Sequence, residues 1–312
     1  MDTHIDTRET PPAEAPTRGR RGRLLRRPRS PRRRILKSIA ALPALFTVLN
    51  GLAGFAAIHF ATRDALGQTS TGNLVIASWL VFAAMLCDML DGRLARLTRR
   101  TSDFGGQLDS LCDVISFGVA PPLLMQRTVV SVLRGHVERV EFLPNYLAGA
   151  TTIERVVWCV AAVYVACAVL RLARFNVENE PDESAHMDFR GLPSPGAAAT
   201  VVGLVLLFAN LEQAIRGWKS SAWAMLTVST ALPVMTLLTG LLMVSRFRYP
   251  HVVNQYIRGK RTISYLVKLV VVLLVGVVLG LYVMIAAFTI AYMLSGPLGW
   301  LRTWLRELRR RP

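Results

Sequence analysis

The chain has 312 residues, 52% of them hydrophobic, yet a formal net charge of +17. Apolar and basic residues must therefore be segregated along it. Residues 1–37 carry almost no apolar runs and a dense arginine cluster from Arg18 to Arg34, interrupted by Pro28 and Pro31, so they cannot bury a core and are expected to be a disordered arm. Because the arm abuts the first apolar stretch, its charge reads as a marker of the cytoplasmic side and a contact for anionic lipid, and not as a nucleic-acid site. The basic stretch is too long for a secretory signal, and residues 39–61 are long enough to span a membrane rather than be cleaved. The acidic residues Asp2, Asp6, Glu9 and Glu14 speak against a transit peptide.

Apolar segments follow near residues 39–61, 74–90, 107–126, 155–172, 195–212 and 222–244, each approaching the roughly 20 residues a helix needs to cross a bilayer core. A further stretch, 266–297, is long for one crossing and short for two, with Gly276, Gly280 and the Gly296-Pro297 pair as possible breaks. The basic arm, the cluster Arg93 to Arg100, and the loops Arg171 to Arg190 and Arg246 to Arg261 share one side if the crossings alternate. The basic tail, Arg302 to Arg311, joins them only after an even number of crossings, so about eight are preferred to seven. The loop 127–154 would face the other side. The fold class is all-α: a polytopic helix bundle over 38–298, flanked by the arm 1–37 and a basic tail 299–312. The cysteines Cys87, Cys112, Cys159 and Cys167 lack paired metal-ligand spacing and read as small buried hydrophobes.

Four aspartates interrupt this apolar pattern. The run Asp88-Met-Leu-Asp91-Gly92-Arg-Leu-Ala95-Arg96 is followed, after eight residues, by Gly105-Gly-Gln-Leu-Asp109-Ser-Leu-Cys-Asp113. On helices, Asp88 and Asp91 share one face and Asp109 and Asp113 another, with Cβ atoms roughly 5–6 Å apart within each pair. Gathered carboxylates repel one another and lose solvation unless hard divalent cations join them. In the alternating topology all four lie at the inner ends of the second and third crossings, a depth at which ionisable residues are functional by default. Gly92 and Gly105 would let a phosphate approach the backbone, Ala95 keeps that face shallow, and Arg96 can give a forked contact to a phosphate oxygen. A cation-coupled transporter would instead put its carboxylates near the bilayer midplane, in broken or repeated helices.

The full pattern, Asp-x-x-Asp-Gly-x-x-Ala-Arg, eight residues, Gly-x-x-x-Asp-x-x-x-Asp, resembles the signature of the CDP-alcohol phosphatidyltransferases, integral membrane enzymes that make phospholipids. The resemblance implies a metal-dependent transferase using Mg2+ or Mn2+, with two ions. Asp88, Asp91 and Asp109 would hold metal, while Asp113 would complete the second position and act as general base. Gly92, Ala95, Arg96 and Gly105 would meet CDP-diacylglycerol.

Three further stretches resemble the phosphatidylserine synthase branch of that family: Asp113-Val-Ile-Ser-Phe-Gly-Val-Ala-Pro-Pro122, Arg171-Leu-Ala-Arg-Phe-Asn176 and Phe189-Arg-Gly-Leu-Pro-Ser-Pro-Gly-Ala-Ala198. The early Leu42-Pro-Ala-Leu-Phe-Thr-Val-Leu-Asn50 followed by Gly54 does so too, with Ala44 where many relatives have a polar residue. The implied acceptor is L-serine, with Arg171, Arg174, Asn176 and Ser194 as candidates to bind it or a lipid phosphate. Other acceptors within the family are glycerol 3-phosphate and an inositol phosphate. Thr47 and Asn50, three apart in the first span, can bond neighbouring helices or reach the nucleotide, the former being preferred. A homodimer is a family expectation, as is a bacterial inner-membrane location with both termini cytoplasmic.

Overall fold

Segments this apolar have no water partner for their backbone groups, and helices satisfy those groups internally. The computed structural model describes residues 31–65, 68–69, 71–98, 103–137, 144–178, 191–214, 222–247, 249, 276 and 280–308. The helices are α1 (Pro31–Thr62), α2 (Thr71–Thr98), α3 (Asp103–Asp113), a π-helical segment (Val114–Val119), α4 (Ala120–Val137), α5 (Pro144–Glu178), α6 (Ser194–Ala214), α7 (Ala222–Val244) and α8 (Leu281–Leu308). A two-residue antiparallel ladder, Asp64–Ala65 with Gln68–Thr69, turns the chain between α1 and α2. Seven helical runs among the described residues are long and apolar enough to cross a membrane, α3, the π-helical segment and α4 forming one of them. This is an integral membrane protein by that criterion, and its exterior agrees. Leu52, Phe55, Trp158, Leu170 and Phe288 are more than half exposed, whereas the fully buried set includes Ser78, Ser116, Thr128, Ser194 and Thr236.

Several expected boundaries move. Residues 31–37 of the arm are already helical, and the rest of the arm lies outside the described residues. In the stretch 127–154, taken as a loop, helices extend from both sides to Val137 and from Pro144. At the C-terminal end, helix α8 passes through Gly296 and Pro297 and carries residues 299–308 of the expected tail.

Two prolines explain local structure that the apolar pattern does not. Pro121 has no N–H to offer the Phe117 carbonyl four residues back, and the π-helical segment sits just before it, closed by the Ala120 N–H donating to the Ile115 oxygen. The fully buried Tyr164 of α5 donates its hydroxyl to Phe117 O at 3.2 Å, satisfying that carbonyl and tying α5 to this break. The same solution recurs at Pro297. Its missing donor frees Met293 O, and the Tyr249 hydroxyl donates there at 3.1 Å, while Gly296 leaves room for the Tyr249 ring. Burial raises the Tyr249 phenol above its usual range, so it remains a donor.

The order of the helices can be followed from their contacts. Thr71 Oγ1, at the start of α2, donates to Glu212 near the end of α6 at 2.6 Å, so these two ends lie together. At the opposite end, Gly191 N–H donates to Phe247 O at 2.8 Å and Leu192 N–H to Leu242 O at 3.0 Å, clasping the start of α6 to the end of α7. Gly191 has φ +92°, and a Cβ there would collide with the Met243 carbonyl. Along the α6–α8 seam, Gly196 faces Tyr292 and Gly203 faces Ile285, Ala286 and Thr289, an antiparallel register. Helix α7 therefore ends where α6 begins, whereas α8 starts at the opposite end of the bundle, where Tyr282 lies 6.4 Å from Trp79. Eight crossings were expected, and the described residues hold seven helical runs long and apolar enough to cross. Residues 266–279 of the 266–297 stretch lie outside the described residues, apart from Gly276, which is helical; Gly280 has φ +87°.

Candidate active site

The acidic residues sit at the end of the bundle where α2 finishes and α3 begins. Each of Asp88, Asp91 and Asp109 offers a carboxylate oxygen, and these three atoms all lie within 4.8 Å of one another. Asp91 is buried, and Asp88 and Asp109 are half-buried. One oxygen of Asp91 and one of Asp109 are buried with no hydrogen-bond partner. A buried unpaired carboxylate oxygen is costly, and two beside a third carboxylate form the all-oxygen donor set that a hard divalent cation satisfies. The Thr47 side chain and the Gly92 backbone N–H lie beside Asp91.

Asp113 stands beside this trio without belonging to it. Its carboxylate accepts a hydrogen bond from Asn50 Nδ2 at 2.8 Å, with both residues buried. Asn50 is held in turn by Ser116, whose hydroxyl donates to the Asn50 carbonyl at 2.8 Å. The approach is possible because α1 carries glycines where it crosses α3. A Cβ on Gly51 would lie 2.9 Å from Cys112 Sγ, and one on Gly54 would lie 2.6 Å from Ser116 Cα. Helix packing was preferred for Thr47 and Asn50; Asn50 does bond a neighbouring helix, through Asp113, whereas the Thr47 hydroxyl donates to Pro43 O of its own helix at 3.0 Å. The spacing Thr47-x-x-Asn50-x-x-x-Gly54 was the available signal. What it could not give was the partner, 63 residues away.

The remaining candidates divide. Gly92 is half-buried, with open space where its Cβ would be, as a phosphate cradle requires. Ala95 and Gly105 are half-buried on the same two helices. Arg96 lies on α2 by its backbone, and its side chain is outside the described residues. Arg171 and Ser194 meet: Nη1 of the guanidinium donates to the Ser194 hydroxyl at 2.6 Å, leaving Nε buried and without a partner. Asp113, Tyr164 and Tyr292 all lie within electrostatic reach of this guanidinium. Asn176 is exposed and accepts from Ser110 of α3 at 2.8 Å, so it bridges α5 to the helix that carries Asp109. Arg174 is exposed. Tyr292, from α8, was missed altogether, because a tyrosine within an apolar helix carries no spacing signal.

Helices long and apolar enough to cross a membrane, with an oxygen-only acidic cluster at one end that could hold a divalent cation, define the class of an integral membrane protein with a candidate metal centre. The family model described as CDP-alcohol phosphatidyltransferase matches residues 40–234, and the chain belongs to that family. It is 35% identical over 209 residues to the CDP-diacylglycerol--serine O-phosphatidyltransferase of Helicobacter pylori, covering 67% of this chain and 71% of that protein. The enzyme of the same name from Mycobacterium tuberculosis is 33% identical over 196 residues, 62% of this chain and 57% of that protein. The archaetidylserine synthase of Methanothermobacter thermautotrophicus is 33% identical over 219 residues, 70% and 72% of the respective chains. The acidic cluster fits the divalent-metal dependence that the family implies.

Proposed function

We propose that the chain transfers the phosphatidyl group of CDP-diacylglycerol to L-serine, giving phosphatidylserine and CMP. The observation that carries this reading is the trio of converging carboxylates with two buried unpaired oxygens, flanked by Asp113 and a buried guanidinium. The names of the relatives share serine and differ in the lipid, which favours serine as the acceptor over glycerol 3-phosphate or an inositol phosphate.

Asp88, Asp91 and Asp109 would hold a divalent cation, Mg2+ or Mn2+, and Asp113 would complete the site of a second. Divalent cations held there would supply charge neutralisation of the pyrophosphate and polarisation of the attacked phosphorus. The rest falls to side chains. Asn50 fixes one oxygen of Asp113, which leaves the other to accept the proton of the serine hydroxyl as it attacks. The new bond joins the serine oxygen to the phosphorus bearing diacylglycerol, the pyrophosphate P–O bond breaks, and CMP departs with the electron pair. Gly92 and Gly105, with Ala95 and Arg96, accept the nucleotide end of the lipid, and the open space at Gly92 gives it backbone access. Arg171, with Nε free and Nη1 held by Ser194, pairs with the serine carboxylate. Arg174 would meet the serine carboxylate or a lipid phosphate, and Asn176 would hydrogen-bond the amino acid. The site opens to the cytoplasm of a bacterial inner membrane, with both termini on that side, the basic arm and tail meeting anionic lipid, and a homodimer as the assembly.

Purified full-length protein incubated with CDP-diacylglycerol, labelled serine and Mg2+ or Mn2+, beside Asp109→Asn, tests this. Serine label entering lipid with matching CMP release, lost in the variant, is the expected result. Label from glycerol 3-phosphate and none from serine would keep the chemistry and overturn the acceptor. An absence of CMP release from folded protein with any alcohol would overturn the reading.

A further inference from the structure

The winding of the third crossing changes at Asp113. That residue closes α3 with ordinary helical backbone angles, φ −63° and ψ −36°, and the π-helical segment starts at the next residue. A π turn forms rarely, so one that persists needs outside support, and α5 and α1 both give it. From α5, the fully buried Tyr164 donates at 3.2 Å to the Phe117 carbonyl that Pro121 leaves open, and a Cβ on Gly118 would lie 3.4 Å from Ala168 Cβ. Gly240 of α7 lies against Tyr164, where a Cβ would come 3.3 Å from Tyr164 Cα, so the tyrosine is wedged between two helices. From α1, the Asn50 carbonyl accepts from the fully buried Ser116 at 2.8 Å, and Nδ2 of the same residue donates to Asp113 Oδ1 at 2.8 Å. Asp113 and Ser116 thus grip one residue, with the start of the π turn between them. Winding these residues as an α-helix would change the angle between them about the helix axis, and both grips could not be kept.

We infer that this segment is the positioning element of Asp113, with Tyr164 and Ser116 as its positioning residues: both act by aiming the carboxylate at the acceptor's hydroxyl, and not by contact with substrate. The inference rests on the phosphatidyl-transfer reading above, with Asp113 as the base. A misplacement of about 1 Å between reacting groups costs up to about 10²-fold in rate. Loss of either hydroxyl would therefore appear in kcat and not in KM.

The test measures kcat, the KM for CDP-diacylglycerol, the KM for serine and the thermal midpoint in detergent. The proteins are full-length wild type, Tyr164→Phe, Ser116→Ala, Asn50→Ala and the double variant Ser116→Ala with Asn50→Ala. Tyr164→Phe and Ser116→Ala should each lower kcat about 10-fold and leave both KM values within about 2-fold. Ser116 reaches Asp113 through Asn50, so in the Asn50→Ala background its loss should lower kcat by less than about 2-fold further. Single-variant losses that multiply in the double variant overturn the inference. So does a kcat left unchanged in a folded variant, whether with a lowered thermal midpoint, the mark of a purely structural role, or with a raised KM. If Tyr164→Phe is not recovered folded, Ser116→Ala and the double variant decide alone. Should wild type release CMP with another alcohol and not with serine, the serine reading fails and the same comparisons are scored on that alcohol. A folded wild type that releases no CMP with any alcohol overturns both.

Discussion

The acidic end of the bundle and the seam between α6 and α8 both bury polar side chains, but they treat them oppositely. Along the seam Thr200 donates to Gly196 O at 3.0 Å and reaches Thr289 O at 3.3 Å, while Thr289 reaches Ile285 O and Ala286 O, both at 3.0 Å. Every buried hydroxyl there has a carbonyl. At the acidic end, oxygens of Asn50, Asp91 and Asp109 and the Nε of Arg171 are buried without partners. In a membrane bundle a satisfied polar group holds helices together, whereas an unsatisfied one marks where something else must bind.

That contrast can be broken in graded steps. The largest effect belongs to the unsatisfied side: Asp109→Asn removes a charge from the carboxylate trio and is expected to lower phosphatidyl transfer by about 10²–10³-fold without altering the elution volume of the protein. The comparison fails if CMP release survives. Asn50→Ala takes the bond from Asp113 and should cost about 1.5–3 kcal/mol in transition-state stabilisation, read as a fall in kcat with the CDP-diacylglycerol KM nearly unchanged. Gly54→Ala drives a methyl group toward Ser116 Cα and should cost about 1–3 kcal/mol of stability, seen as a lower midpoint of thermal unfolding in detergent. The smallest effect belongs to the satisfied side. Thr200→Val loses the bond between helices to Thr289 O, worth about 0.6 kcal/mol, and should leave activity intact, and an activity loss there would erase the distinction.

How much of this could be read before the structure follows the same line. The apolar segments and the four aspartates are local patterns, so both the crossings and the acidic site were legible. Partners far apart in sequence were not. Nothing near Pro121 announces Tyr164, and nothing near Pro297 announces Tyr249, so the π-helical segment could not be anticipated and Gly296-Pro297 was taken as a possible break. Arg171 and Ser194 each stood out within a short stretch, but their contact depends on the clasp of Gly191 and Leu192 against α7. Charge parity, counted loop by loop, led to the preference for eight crossings, whereas seven helical runs among the described residues are long and apolar enough to cross.

The position of α8 also bears on how the protein is made. A chain enters the membrane from its N-terminus, so every carboxylate of the trio and Asp113 are in place before α8 is synthesised. Until then Gly196 and Gly203 present their bare backbone to lipid, and the carbonyl-bonding hydroxyls of Tyr249 and Thr200 lack their α8 partners. A ribosome halted after α7 would leave a protein with its four aspartates in place and the face of α6 that packs on α8 uncovered, a natural substrate for membrane quality control.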